Sequence, residues 1–174
     1  MNEIIEAMKQ RRSCRAFRPD AVPQTLLDQI AEAGLYAASG RNRQAARIIT
    51  VTDPQLRDRL SEQNRMIGGW AEGFDPFYGA PALMIVLADK ECPTGIYDGS
   101  LVMGNLMLAA HALGLGSCWI HRAKEEFDSD AGKALLTQLG IEGEWEGIGH
   151  CILGYPAEEL PAAPPRKENR LNQI

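Results

Sequence analysis

The stretch Tyr97–Leu115 constrains the fold of this chain most, because it is apolar around most of its circumference when wound as a helix. It is nearly long enough to span a bilayer, yet Asp98, Asn105, His111 and several glycines interrupt it. It therefore reads as a buried helix, running from Tyr97 to Leu113. Such a helix needs cover on several sides, more than a small monomer easily provides.

The remaining pattern fits one globular domain over residues 1–174, since 45% hydrophobic content can bury one good core but not two generous ones. Ile4, Ile5 and Met8 recur at helical spacing and predict a short helix from Glu3 to about Arg12. Pro23 opens a second helix with Leu26, Leu27, Ile30 and Ala33 on its apolar face. Ile48, Ile49 and Val51 predict a strand, and Asp53-Pro54 starts a helix through Leu60. Gly68–Gly79 is a glycine- and aromatic-rich excursion that reads as a lid or as core packing of its aromatics. Ala82–Ala88 is a continuous apolar run, expected for a strand covered on both faces. Strands are also expected at Ser117–Ile120 and Gly147–Leu153, with a helix at about Asp130–Leu139 capped by Asp128 or Ser129 and stopped by Gly140. Four prolines from Pro156 to Pro165 leave residues 157–174 as an extended arm.

Acids outnumber bases 23 to 18, giving a net charge of −5, which argues against binding a nucleic-acid backbone. Against that background Arg11, Arg12, Ser13 and Arg15 stand out as a compact cluster at the end of the first helix. Guanidinium forks match phosphate oxygens bidentately, so the cluster reads either as a cradle for one small anion or as a solvated charged face. Four cysteines without a CxxC pair, and no signal-like amino terminus, lead us to expect reduced thiols and a cytoplasmic location.

Conventional catalytic groups are hard to find. Gly114-Leu115-Gly116-Ser117 ends a helix and opens a strand, the reverse of a dinucleotide fingerprint. Cys118, His121, His150 and Cys151 have ligand chemistry, but His150 and Cys151 point to opposite faces of a strand, so no metal site is expected. Buried thiols and solvent- or ligand-facing histidines account for them. No serine has a triad context, Cys14 lacks a nearby histidine, and no carboxylate pair stands out. Anion donors without acid–base machinery suit a protein whose chemistry is carried by a bound cofactor.

Five segments together resemble the nitroreductase family of FMN-dependent oxidoreductases, in its short single-domain form. They are Arg11-Arg12-Ser13-Cys14-Arg15-Ala16-Phe17; the Ser39, Asn42, Gln44 loop; Tyr78-Gly79-Ala80-Pro81; Gly114 to Ile120; and Gly154-Tyr155-Pro156 ahead of Arg166-Lys167. Ala38 and Ala45 replace prolines common in the family, and His121 replaces a common glycine.

The resemblance implies an α+β fold, a mixed and mainly antiparallel sheet flanked by helices, in an intertwined homodimer with FMN at the subunit interface. It places Arg11, Arg12, Ser13 and Arg15 at the flavin phosphate, ribityl chain and pyrimidine edge, with Arg166 and Lys167 closing on the phosphate. Ser39, Asn42 and Gln44 would come from the other subunit, Asn64 would meet the pyrimidine ring, and Trp119, Ile120, His121 and Arg122 would line the dimethylbenzene or N5 side, more through backbone than side chain. It further implies ping-pong transfer from NADH or NADPH through flavin N5 to a flat electron-poor small molecule, a nitroaromatic or quinone. A non-catalytic FMN-binding or storage protein, and a family offshoot with other flavin chemistry, are the alternatives.

Overall fold

The computed structural model describes residues 2–174. Six helices and four strands follow one another as α1 (Glu3–Gln10), α2 (Gln24–Leu35), β1 (Ala46–Val51), α3 (Pro54–Gly68), β2 (Ala82–Asp89), α4 (Gly95–Ala112), β3 (Gly116–Ile120), α5 (Ala123–Asp128), α6 (Asp130–Gln138) and β4 (Trp145–Gly154). The strands form one sheet in the order β1-β2-β4-β3, and all three ladders are antiparallel. The expected mixed sheet is thus corrected. The parallel pairing described is a single bridge, Ser13 to Ser117.

Period-two alternation divides the core between the two faces of the sheet. On one face Ala82, Met84, Val86 and Ala88 pack with Leu27, Ile30, Val102, Met103 and Leu106 from α2 and α4. On the other, Leu83, Ile85 and Leu87 meet Leu60, Phe77, Phe127 and Leu136. The run Ala82–Ala88 is buried on both faces although its neighbours are antiparallel, because helices cover the sheet on each side. A bulge opposite Val86 and Leu87 turns Ile148 toward α4, while His150, two residues on, lies among the residues of the opposite face.

Local chemistry explains the helix ends. Asp53 accepts from the N–H of Leu56, and Pro54 supplies a fixed φ at the first helical position. α3 then runs to Gly68, eight residues past the expected end at Leu60, and stops where Gly69 takes φ 67°. Its polar second half has no apolar stripe because Ser61 and Asn64 are the residues it buries there. Ser129 caps α6 by accepting from Gly132 N–H. α5 has no counterpart in the sequence reading, since Ala123 and Phe127 are its sole apolar residues.

α4 buries Val102, Met103, Leu106 and Ala110 but leaves Ile96, Tyr97 and Leu101 more than half exposed. Ile4, Ile5 and Met8 of α1, and Leu35 and Tyr36 at the end of α2, are exposed too. A groove of about 430 Å³ between α1, α2 and α4 is lined by Ile4, Ala7, Ala33, Leu108 and Ala109. Among the described residues no helix is long and apolar enough to cross a membrane.

Candidate cofactor and acceptor site

The arginine cluster lies where α1 ends against the α4–β3 junction. Cys14 N–H donates to the Ser117 carbonyl at 2.9 Å, pinning the Arg11–Arg15 segment to the start of β3. Gly116 permits this approach, since a Cβ there would sit 2.7 Å from the Cys14 side chain. Arg12 turns back, donating to the carbonyls of Lys9 and Arg11 and so capping the C-terminal end of α1. Half of its fork is therefore spent on its own helix.

Three donor or acceptor atoms here have no partner. Arg11 Nη1, Arg12 Nε and Ser117 Oγ are buried and make no hydrogen bond. Orphaned guanidinium nitrogens are costly unless something answers them. Arg15, by contrast, is exposed and enters no hydrogen bond or ion pair among the described residues. Burial, then the nearby Arg11 and Arg12 charges, hold His111 below its usual pKa, so at neutral pH it adds no further positive charge. This donor set fits a mononucleotide phosphate.

The second group of expected residues sits elsewhere in the chain. Ser39 Oγ accepts from Gln44 N–H at 3.1 Å, Gln44 Nε2 donates to Asn42 Oδ1, and Arg41, Asn42 and Gln44 all take positive φ. Gly40 N–H donates to Asp98 near the start of α4. Arg11 and Arg12 lie by His111, near that helix's other end. At 1.5 Å per residue, positions 98 and 111 are about 20 Å apart. One chain alone does not bring the two groups together.

Arg166 and Lys167 are likewise not brought to the cluster within one chain. Residues 157–174 contain no helix or strand; both side chains are exposed, and Arg166 donates to the Pro164 carbonyl. The arm leaves the body beside the cluster, however, because Ala157 N–H donates to the Ala16 carbonyl and Phe17 bridges Pro156.

Asn64 is wholly buried and gives its Nδ2 to the His121 carbonyl at 2.8 Å, so in this chain it braces the β3–α5 loop, leaving Oδ1 unpartnered. Trp119 is half-buried and Ile120 buried, His121 is exposed, and Arg122 holds φ 79° at the start of α5. The guanidinium of Arg122 lies 5.2 Å from the ring centroid of Trp70. That contact joins the loop to the aromatic excursion.

The aromatics of the excursion divide between core and surface. Phe77 is core, whereas Trp70 and Phe74 are 38% and 39% exposed and pack against each other. Asp75, unremarked in the sequence, organises the turn by accepting from Ser61, Arg57 and the N–H groups of Phe77 and Gly79. Burial alone would raise its pKa, but the hydrogen bonds from Ser61 and Arg57 and from the backbone outweigh it, and the net shift is downward. A carboxyl whose pKa falls on folding stabilises above its unfolded value and loses that contribution as pH drops through the folded one. Asp75→Asn should therefore be less stable than the parent at neutral pH, with the gap closing in urea titrations taken toward pH 3. A gap independent of pH would contradict this.

His150 is the clearest departure from expectation. It faces neither solvent nor ligand: its Nε2 lies 2.6 Å from Glu126 Oε2, with both residues fully buried and the ring 5.2 Å from that of Phe77. Cys151 points into the opposite core, and no metal cluster occurs among the described residues.

Known proteins share this fold. The profile of the Nitroreductase family matches residues 8–155. An NADH dehydrogenase of Thermus thermophilus is 39% identical, the match covering 88% of this chain and 86% of that one. An FMN reductase (NAD(P)H) of Bacillus subtilis is 25% identical over 99% of this chain and 73% of its own. A solved nitroreductase with bound FMN from Bacteroides fragilis, 29% identical, covers 100% of both chains with a TM-score of 0.88. Matched through most of its length by the family profile and end to end by the fold, the chain belongs to the nitroreductase family.

Proposed function

We propose that this protein is an FMN-dependent oxidoreductase that draws electrons from NADH or NADPH and delivers them to a flat electron-poor molecule. The observation that carries this reading is the set of unanswered donors on Arg11, Arg12 and Ser117 beside the free Arg15. The Thermus and Bacillus relatives carry nicotinamide- and flavin-linked names, and the Bacteroides relative holds FMN. For a quinone the balance is NAD(P)H + H⁺ + quinone → NAD(P)⁺ + hydroquinone.

FMN, when bound, supplies the two-electron relay between the nicotinamide and the acceptor. Arg11, Ser13, Arg15 and what remains free of Arg12 would hold its phosphate and polar edge. Asn64 fixes the His121 carbonyl, and with it the loop through Trp119, Ile120, His121 and Arg122 that would flank the ring. Trp70 and Phe74 offer an aromatic wall against which a planar acceptor stacks and from which water is displaced. No side-chain acid or base is required, which suits a site without a triad.

The working unit in this proposal is a homodimer. The exposed apolar surfaces of α1, α2 and α4 support it, as does the roughly 20 Å gap between the two halves of the site. Antiparallel pairing of two α4 helices would set Ser39, Asn42 and Gln44 of one copy beside Arg11–Arg15 of the other. The 157–174 arm would cross the same boundary and deliver Arg166 and Lys167. One open site taking both substrates in turn requires parallel double-reciprocal lines when nicotinamide and quinone are varied together. Intersecting lines would contradict shared occupancy, and a monomer in sedimentation equilibrium would contradict the composite site.

A further inference from the structure

We propose that Arg122 and Trp70 form a subsite for a carboxylate carried by an aromatic electron acceptor, so that the protein prefers anionic aromatic acceptors to neutral ones. The proposal deepens the oxidoreductase reading above and rests on it. Three independent features of Arg122 lead to it.

Its backbone lies at φ 79°, in the left-handed region that glycine enters freely and a long side chain enters at a cost. Strain kept at a site-lining position directs attention to what the side chain does there. Arg122 is half-buried as a residue, yet its guanidinium takes part in no hydrogen bond and no ion pair among the described residues. The acids nearest in sequence do not answer it, since Glu126 is buried against His150 and Glu125 forms no ion pair among the described residues. Its one described partner is the ring of Trp70, which attracts the cation but satisfies none of its five N–H donors.

The platform beneath is fixed from several directions. Arg65 donates to the Trp70 carbonyl at 2.7 Å and is itself held by Glu62 through two hydrogen bonds of 2.6 and 2.7 Å, so its charge is already spent. The Trp70 ring meets Phe74 at 5.3 Å, and Phe74 meets Tyr78 at 6.0 Å. Asn64, one residue before Arg65 on α3, anchors the carbonyl that precedes Arg122. One helix end thus positions both the aromatic wall and the cation above it. A planar acid can stack on the exposed part of that wall while its carboxylate meets the guanidinium fork.

The test uses the FMN-loaded enzyme with 4-nitrobenzoate and its neutral isostere 4-nitrobenzamide, and with non-reducible benzoate and benzamide for binding by NMR titration. We expect the parent to favour nitrobenzoate in kcat/KM, mainly through KM, and to bind benzoate more tightly than benzamide. In Arg122→Gly the acid-to-amide ratio should fall about tenfold to a hundredfold, the range for one charge-assisted hydrogen-bonded pair, with thermal stability retained or raised because glycine relieves the φ strain. Arg122→Lys should keep part of the preference. Equal use of acid and amide by the parent, or an unchanged ratio in Arg122→Gly, would overturn the subsite. Failure of NADH and NADPH to support reduction of any acceptor would instead strike the oxidoreductase reading, while benzoate binding would still decide the subsite.

Discussion

Replacing Glu126 by leucine while His150 remains is expected to destabilise the protein by about 1–3 kcal/mol, whereas Glu126→Leu combined with His150→Phe recovers most of the loss. The pair is fully buried, its single contact is 2.6 Å long, and Glu126 Oε1 and His150 Nδ1 have no other partner. Removing one member strands the other's polarity in an apolar core, while removing both leaves volume that a phenyl ring and an isobutyl group can fill. The ring at position 150 already stacks on Phe77, so phenylalanine keeps that contact. Urea denaturation of the single and double variants checks this. A double variant as unstable as Glu126→Leu would contradict it.

The same pair bears on function through α5. Glu126 ties that short helix to β4, and Gly147 lets the two approach, since any Cβ there would collide with the Ala123 carbonyl. Ala123 follows Arg122 directly. Loosening α5 should therefore disturb the β3–α5 loop before the rest of the sheet.

Arg15→Ala is the second large expected effect: FMN affinity should fall about tenfold to a hundredfold, matching about 1.5–3 kcal/mol for hydrogen bonds to a charged group. The position is informative because Arg15 is exposed and holds nothing else in place, so its loss should leave stability unchanged. Arg12→Ala would be ambiguous, as Arg12 also caps α1. Flavin fluorescence titration of the reconstituted protein measures the affinity, and thermal melting controls for the fold. An unchanged dissociation constant would remove Arg15 from the site.

Much of the scaffold was legible because its signals are local. The run Ala82–Ala88, the apolar helix after it, the Asp53-Pro54 start and the Ser129 and Gly140 punctuation all state their role within a few residues. Features built from distant partners were not. The helical turns after Leu60 and the whole of α5 carry too few apolar residues to show a period, and they bury Asn64 and Glu126 for reasons that exist only in three dimensions. His150 reads as exposed or ligand-facing until a bulge in β4 and a helix 24 residues earlier supply its partner.

The site divides in the same way. Arg11–Arg15 announces itself through charge density, and the structure leaves nitrogens of Arg11 and Arg12 buried without a partner there. The Ser39, Asn42 and Gln44 loop and the Arg166-Lys167 arm lie apart from it in a single chain. Asp75 and the φ of Arg122 had no sequence signal, since both depend on how the excursion folds over α3.

The most direct test of the central claim is the visible spectrum of the purified, FMN-reconstituted protein during anaerobic titration with NADH or NADPH. The account predicts about one bound flavin per chain, with its visible absorption lost on addition of one equivalent of nicotinamide and restored by a quinone. A protein that cannot be loaded with FMN, or a loaded one that neither nicotinamide bleaches, would contradict it.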